Sequence, residues 1–197
     1  MNLSAKSISI NSSAKISLHP LASQLTKLIV KAYLSGGQEA YIKSMQTKFD
    51  CYNSLPIHNV SLVNKDVNEY LLIGGCFSPV FNLKDINNNN TIFLSYKTSK
   101  KDSKPEHKKQ VKKEFDQDVI DFIYMDFIRA ISILSLAKPG LMYPSLKTIM
   151  QEYKSQIWSE IFNRESKTPK DYILLNNVAD LLDTTRGTLN SHTKLKK

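Results

Sequence analysis

Apolar residues return at three- and four-residue steps in several stretches of the chain, the spacing of helices that bury one face. Leu21, Leu25, Leu28, Ile29 and Ala32 make the first such face after Pro20, and Gly36-Gly37 predicts its end. From Val119, the residues Ile120, Ile123, Tyr124, Phe127, Ile128, Ile131 and Leu134 make a second helix, apolar enough to need cover on most sides, which Pro139-Gly140 ends. Pro144-Ser145 opens a third, whose face runs on through Ile149, Met150, Tyr153, Ile157, Trp158 and Ile161. Two short runs read as strands instead: residues 70–73 before Gly74-Gly75, and residues 91–96, with Asn87 to Asn90 marking a loop between them. Residues 38–60 carry no clear period apart from a short helix around Tyr41 to Met45.

The last quarter has a more specific pattern. Val178, Leu182 and Leu189 lie four and seven residues apart, one face at 3.6 residues per turn, with Ala179 at the fifth place of the unit, where a small residue lets two helices approach. Asp183-Thr184-Thr185 supplies a turn, and the helix after it presents Arg186, Thr188, Asn190, Ser191 and His192. These types bond phosphates and base edges when a recognition helix enters a major groove, so the segment reads as a helix-turn-helix. A small helical hairpin that merely fills core would share the apolar spacing.

Charge strengthens the first reading. Twenty-seven basic residues against 18 acidic ones give a net charge of +9, which favours a polyanionic partner through long-range attraction and counterion release. Residues 97–113 alone hold eight lysines against Asp102 and Glu106, a pattern of either a solvated connector or a phosphate-tracking segment. Cys51 and Cys76 have no metal-ligand spacing, and His19, His58, His107 and His192 are scattered, so no metal site is expected. Neither a secretory leader nor a membrane span is legible, which predicts a soluble intracellular protein. Gly74-Gly75-Cys76 is similar to the Gly-Gly-Cys turn of sulfiredoxins, but Phe77-Ser78-Pro79 follow in place of the His-Arg that would activate a thiolate.

A broader resemblance joins residues 127–136, the segment Ser145-Leu146-Lys147-Thr148-Ile149, and residues 179–194. Together they resemble the topoisomerase VI A-subunit family, to which the meiotic double-strand-break transesterase belongs, over roughly residues 21–197. That family has a basic residue on an early apolar helix, then a Thr-x-Arg-Asp-Ile-Tyr-Tyr segment, then a leucine-rich helix running into x-Arg-x-x-Leu-Asn and a lysine. With Arg129 on the first basic residue, Ser145 falls on the threonine, Lys147 on the arginine, Ile149 on the isoleucine and Gln151 on the nucleophilic tyrosine. Arg186-Gly187-Thr188-Leu189-Asn190 and Lys194 match the last element. The resemblance implies meiotic DNA recombination in the nucleus, with a tyrosine attacking a phosphodiester and magnesium held by a separate Toprim domain. No Toprim pattern follows within the chain, so it is expected to hold no cofactor and to lack autonomous cleavage, Mg2+ entering only if such a domain follows. Tyr153, two places from the matched position, is the candidate nucleophile, with Tyr143 as another; Lys147 keeps the arginine's charge without its fork.

The sequence therefore predicts a mainly α protein with a small β component and a winged-helix-like helix-turn-helix domain. Residues 1–19 are expected to be a flexible tail, 20–96 a helix and strand region, 97–116 a basic linker and 117–197 the DNA-binding domain. Only Ser191 to Lys197 follow Asn190, so the wing is either supplied by the earlier strands or missing. Expected contacts to double-stranded DNA come from Lys147, Arg186, Thr188, Asn190, His192, Lys194, Lys196 and Lys197, with a homodimer or break-machinery proteins as further partners and no membrane. The competing role is a helix-turn-helix transcriptional regulator reading an operator.

Overall fold

The strand at the centre of the sheet keeps no alternation in its burial. Val60, Ser61, Leu62 and Val63 are buried in succession, so both faces of their strand are covered. The computed structural model describes residues 4–34, 44, 58–79, 81–97, 116–134, 136–162 and 174–194. In chain order these form β1 (Ala5–Ile8), β2 (Lys15–Leu18), α1 (Pro20–Leu34), β3 (His58–Asp66), β4 (Glu69–Gly74), β5 (Thr91–Tyr96) and α2 (Gln117–Ile133). A 3-10 turn (Pro139–Leu141), α3 (Tyr143–Glu152), α4 (Ile157–Ile161), α5 (Leu175–Leu181) and α6 (Arg186–Lys194) complete it.

The strands make one mixed sheet in the order β1-β5-β3-β4-β2. β3 pairs with β4 as an antiparallel hairpin and with β5 in parallel, while β1 closes one edge antiparallel to β5 and β2 the other parallel to β4. Helices hold 48% and strands 21% of the described residues, which corrects the expectation of a mainly α, winged-helix-like protein to a mixed α/β one. Three of the five strands escaped the sequence for physical reasons. β3 sets only Val60, Leu62 and Val63 among polar residues, too short an apolar run to declare itself, and β1 and β2 have four residues each, so only tertiary pairing makes them strands. Residues 5–8 and 15–18 are accordingly the sheet's edges and not part of a flexible tail; exposed Lys6 and Lys15 on them discourage pairing with other chains.

The run of asparagines does more than mark a loop. Asn88 grips the segment between the edge strands like a third strand: its carbonyl accepts the Ile10 N–H at 3.0 Å and its amide donates to the Ile10 carbonyl at 2.6 Å. Buried Asn90 donates to the Asp85 carbonyl at 2.7 Å and accepts from the Asn87 N–H at 2.9 Å, bracing the loop that carries the grip.

α1 and α2 pack against the sheet beside β4. One continuous core runs from Val60, Leu72 and Phe93 of the sheet through Leu25 and Phe127 to Leu146, Trp158, Val178 and Leu189. Residues from 117 onward thus share their core with the sheet. The expected linker falls almost wholly on residues 98–115, and the short helix around Tyr41 to Met45 on residues of which only Ser44 is covered; both lie outside the described residues. The third helix expected from the sequence is two: α3 ends at Glu152, Ser155 accepts the Ile157 N–H at 3.1 Å, and α4 starts there.

At the join of β2 and α1, His19 is buried and its ring Nδ1 accepts the Leu21 N–H at 3.2 Å, a cap on the first turn of α1. An accepting Nδ1 needs an uncharged ring, and burial pulls the pKa of His19 down from 6.5 to about 4. The unfolded chain therefore takes up this proton before the folded one does. Stability from His19 is complete above pH 6.5 and falls as the pH drops toward 4, by about 3 kcal/mol in all. Urea melts of the wild type and of His19→Asn at pH 7 and pH 4 check this, with the wild type losing more stability over the interval by roughly that amount.

Candidate nucleic-acid interface

α5 and α6 form the expected pair of helices, and the backbone between them explains the local sequence. Asp183 takes a φ of 45°, the Thr184 N–H returns to the Ala179 carbonyl at 2.9 Å, and the Asp183 N–H to the Asp180 carbonyl at 3.2 Å. These two bonds make a Schellman motif, with aspartate in the left-handed position that glycine usually fills. Thr185 then caps α6: its hydroxyl accepts the Thr188 N–H at 3.1 Å and lies 2.9 Å from the Thr188 hydroxyl. Small Ala179 and apolar Val178, Leu182 and Leu189 are buried between the helices and the body.

α6 is two-sided. Its inner side rests on the 3-10 turn, on α5 and on α3. A Cβ on Gly140 would lie 2.5 Å from His192 Cβ and 2.6 Å from the Leu189 carbonyl oxygen, so only glycine admits this approach. Thr193 adds a strap, its hydroxyl 2.7 Å from the Leu189 carbonyl and 3.3 Å from that of Gly140. The outer side is a stripe of exposed residues, Arg186, Gly187, Asn190, Ser191 and Lys194, at steps that keep them on one face. The described residues of 120–160 therefore hold the inner face and leave this one open.

Each expected contact residue has a distinct place. Arg186, Asn190 and Lys194 stand outward together. Thr188 is half-buried and committed to the cap with Thr185, and His192 is half-buried against Gly140, so neither belongs to the open stripe. Lys147 is half-buried on α3, a different helix, and Lys196 and Lys197 lie outside the described residues. Exposed Gly187 and Ser191 complete the stripe; their exposure depends on the helix phase fixed by Leu189. Exposed Asp180 and Asp183 put negative charge on α5 and the turn, so an anionic ligand is best received from the α6 side.

The features proposed for chemistry are occupied otherwise. Tyr153 ends α3, with its backbone carbonyl accepting the buried Tyr124 hydroxyl at 2.8 Å. Burial and the adjacent Glu152 carboxylate push the Tyr153 phenol up from its ordinary value, opposite to what an activated nucleophile needs. Gln151 is exposed, and Arg129 bonds Asp126 at 2.6 Å. The same Asp126 accepts the Gly75 N–H at 2.7 Å. Gly75 itself has a φ of 76°, and a Cβ there would overlap the Asn59 carbonyl. Cys76 is buried and its thiol pushed up to about 12 by desolvation, an inert group. Among the described residues no group of His, Cys, Asp and Glu could hold a metal, and no helix is long and apolar enough to cross a membrane.

Two substitutions test this geometry. Asp183→Gly, which relieves the left-handed aspartate, raises stability by about 0.5–1 kcal/mol in urea melts. Gly140→Ala lowers it by about 1–3 kcal/mol through overpacking and speeds hydrogen exchange of the α6 amides, because the turn can no longer seat that helix.

Comparison with protein-family models, with curated proteins and with solved structures finds no match to this chain.

Proposed function

We propose that this protein binds double-stranded DNA through the helix-turn-helix of residues 175–194, with α6 entering the major groove, in the manner of a transcriptional regulator. The observation that carries the reading is the outward stripe of Arg186, Asn190 and Lys194 on a helix whose opposite side is locked to the body. Arginine and asparagine can each engage a purine edge with two hydrogen bonds, and lysine adds a phosphate contact. The net charge of +9 supports the same ligand, since it draws a duplex in from a distance and competes best with counterions at low salt.

A regulator fits this fold better than a part of a strand-breaking enzyme. The helix-turn-helix sits on an α/β body and its principal neighbours are the 3-10 turn, α5 and α3, so the β3–β4 hairpin does not serve it as a wing. The described tyrosine closest to the matched nucleophile position has a raised pKa, and glutamine holds the position itself. Binding without chemistry asks only for the stripe. Pairing of two copies on a palindromic site is the arrangement such a unit commonly uses.

Binding is expected at micromolar Kd or weaker on arbitrary duplex and to weaken steeply with salt, by roughly the nine-tenths power of concentration per phosphate neutralised. Neutralising Arg186, Lys194, Lys196 and Lys197 together is expected to weaken binding about tenfold or more at about 100 mM salt. It should also flatten the slope of log Kd against log salt by about 3. Fluorescence anisotropy with a labelled duplex reads both quantities, and an unchanged affinity in the quadruple variant would remove the proposal.

A further inference from the structure

Among the described residues nothing in the packing requires a glycine at position 187. Two other glycines show what such a requirement looks like: Gly75 has a φ of 76° and abuts the Asn59 carbonyl, and Gly140 touches α6 too closely for any side chain. Gly187 has neither property. It lies in the first turn of α6, and a Cβ there would meet only the Thr185 hydroxyl oxygen at 3.6 Å among the described residues, an ordinary contact. Inside a helix glycine costs backbone entropy that alanine does not, so the fold alone would favour a side chain at this place.

Its neighbours supply the reason the fold does not. Gly187 is flanked by exposed Arg186 and, one turn on, by exposed Asn190 and Ser191. It is thus the low point of the outward stripe, with longer polar side chains on either side. We infer that Gly187 is the point of closest approach between α6 and the floor of the major groove, and that its missing side chain lets Arg186 and Asn190 reach guanine and adenine edges. The inference rests on the DNA-binding reading above and adds to it the residue that sets the depth of the helix. A Cβ at 187 would hold the helix axis away from the bases by about the thickness of a methyl group, and two-point hydrogen bonds to purine edges do not tolerate such a shift.

The experiment uses the full chain. A duplex is first recovered by the wild type from a random-sequence pool, and Kd on that duplex is then measured for the wild type and for Gly187→Ala beside their thermal midpoints. Gly187→Ala is expected to melt about 2–4 °C higher, as a relieved helix glycine should in a chain of this length, and to bind at least tenfold more weakly. A loss smaller than tenfold overturns the role of Gly187 while leaving DNA binding intact, and so does a lowered midpoint, which would mark the glycine as structural. Failure of the wild type to enrich a duplex from the pool while it still binds duplex of arbitrary sequence overturns this inference alone, and failure to bind any duplex overturns the DNA-binding reading with it. Retained binding to duplex of arbitrary sequence by Gly187→Ala, with loss confined to the selected duplex, is the form in which the expected result appears.

Discussion

The close approach of Gly140 to α6 is the contact on which the rest of the arrangement depends. The 3-10 turn that carries Gly140 lies at a crossing of α1, α3 and α6. Just before it, the Lys138 N–H donates to the Ala32 carbonyl at 3.0 Å, tying the turn to the last part of α1 and through α1 to the sheet. On its other side it receives Leu189, His192 and Thr193. A three-residue element therefore transmits the position of a five-stranded sheet to a nine-residue helix. Any side chain at 140 would push the two apart.

Such support is needed because α5 and α6, with seven and nine residues, are too short to be stable as isolated helices. Their stability comes from burying Val178, Ala179, Leu182 and Leu189 and from caps at each end of the turn. α2 contributes from further away. Tyr124 donates to the carbonyls of Tyr153 and Ile149 at the end of α3, and its ring meets Trp158 edge-on at 4.9 Å. Tyr124, Trp158 and the end of α3 at Tyr153, the residue that the sequence offered as a nucleophile, thus fix the helices that carry the candidate interface. The polar face of α6 is free to do something else because the apolar face is so fully used.

Much of the candidate site could be read from the sequence, and the part that could not has an identifiable cause. Apolar spacing around Val178 and Leu189 set the helix phase, and the phase put Arg186, Asn190 and Lys194 on one side. Thr188 and His192 are polar too, but polarity does not say whether a hydroxyl is spent on a cap or an imidazole laid against a distant glycine. Those facts depend on Thr185 and Gly140, and in the second case on a partner 52 positions away in the chain. In the same way asparagine type marked the loop at 87–90, while the grip of Asn88 on Ile10 depends on a residue 78 positions away.

By itself the sequence determined the local periods: the helices read from residues 21, 119 and 144, the strands at 70–73 and 91–96, and the turn between two short helices near the end, each within about two residues of its observed start. These follow from contacts a few residues apart, where side-chain spacing and capping chemistry decide. Only the tertiary structure decided that four-residue segments at 5–8 and 15–18 become the sheet's two edges, and that residues 58–66 form the strand at its centre. Strand pairing is a contact between distant segments, and a short run such as Asn59 to Asn64, mixed polar and apolar, does not name its partners. For that reason the sequence made the protein look mainly helical, and pairing across the chain made it α/β.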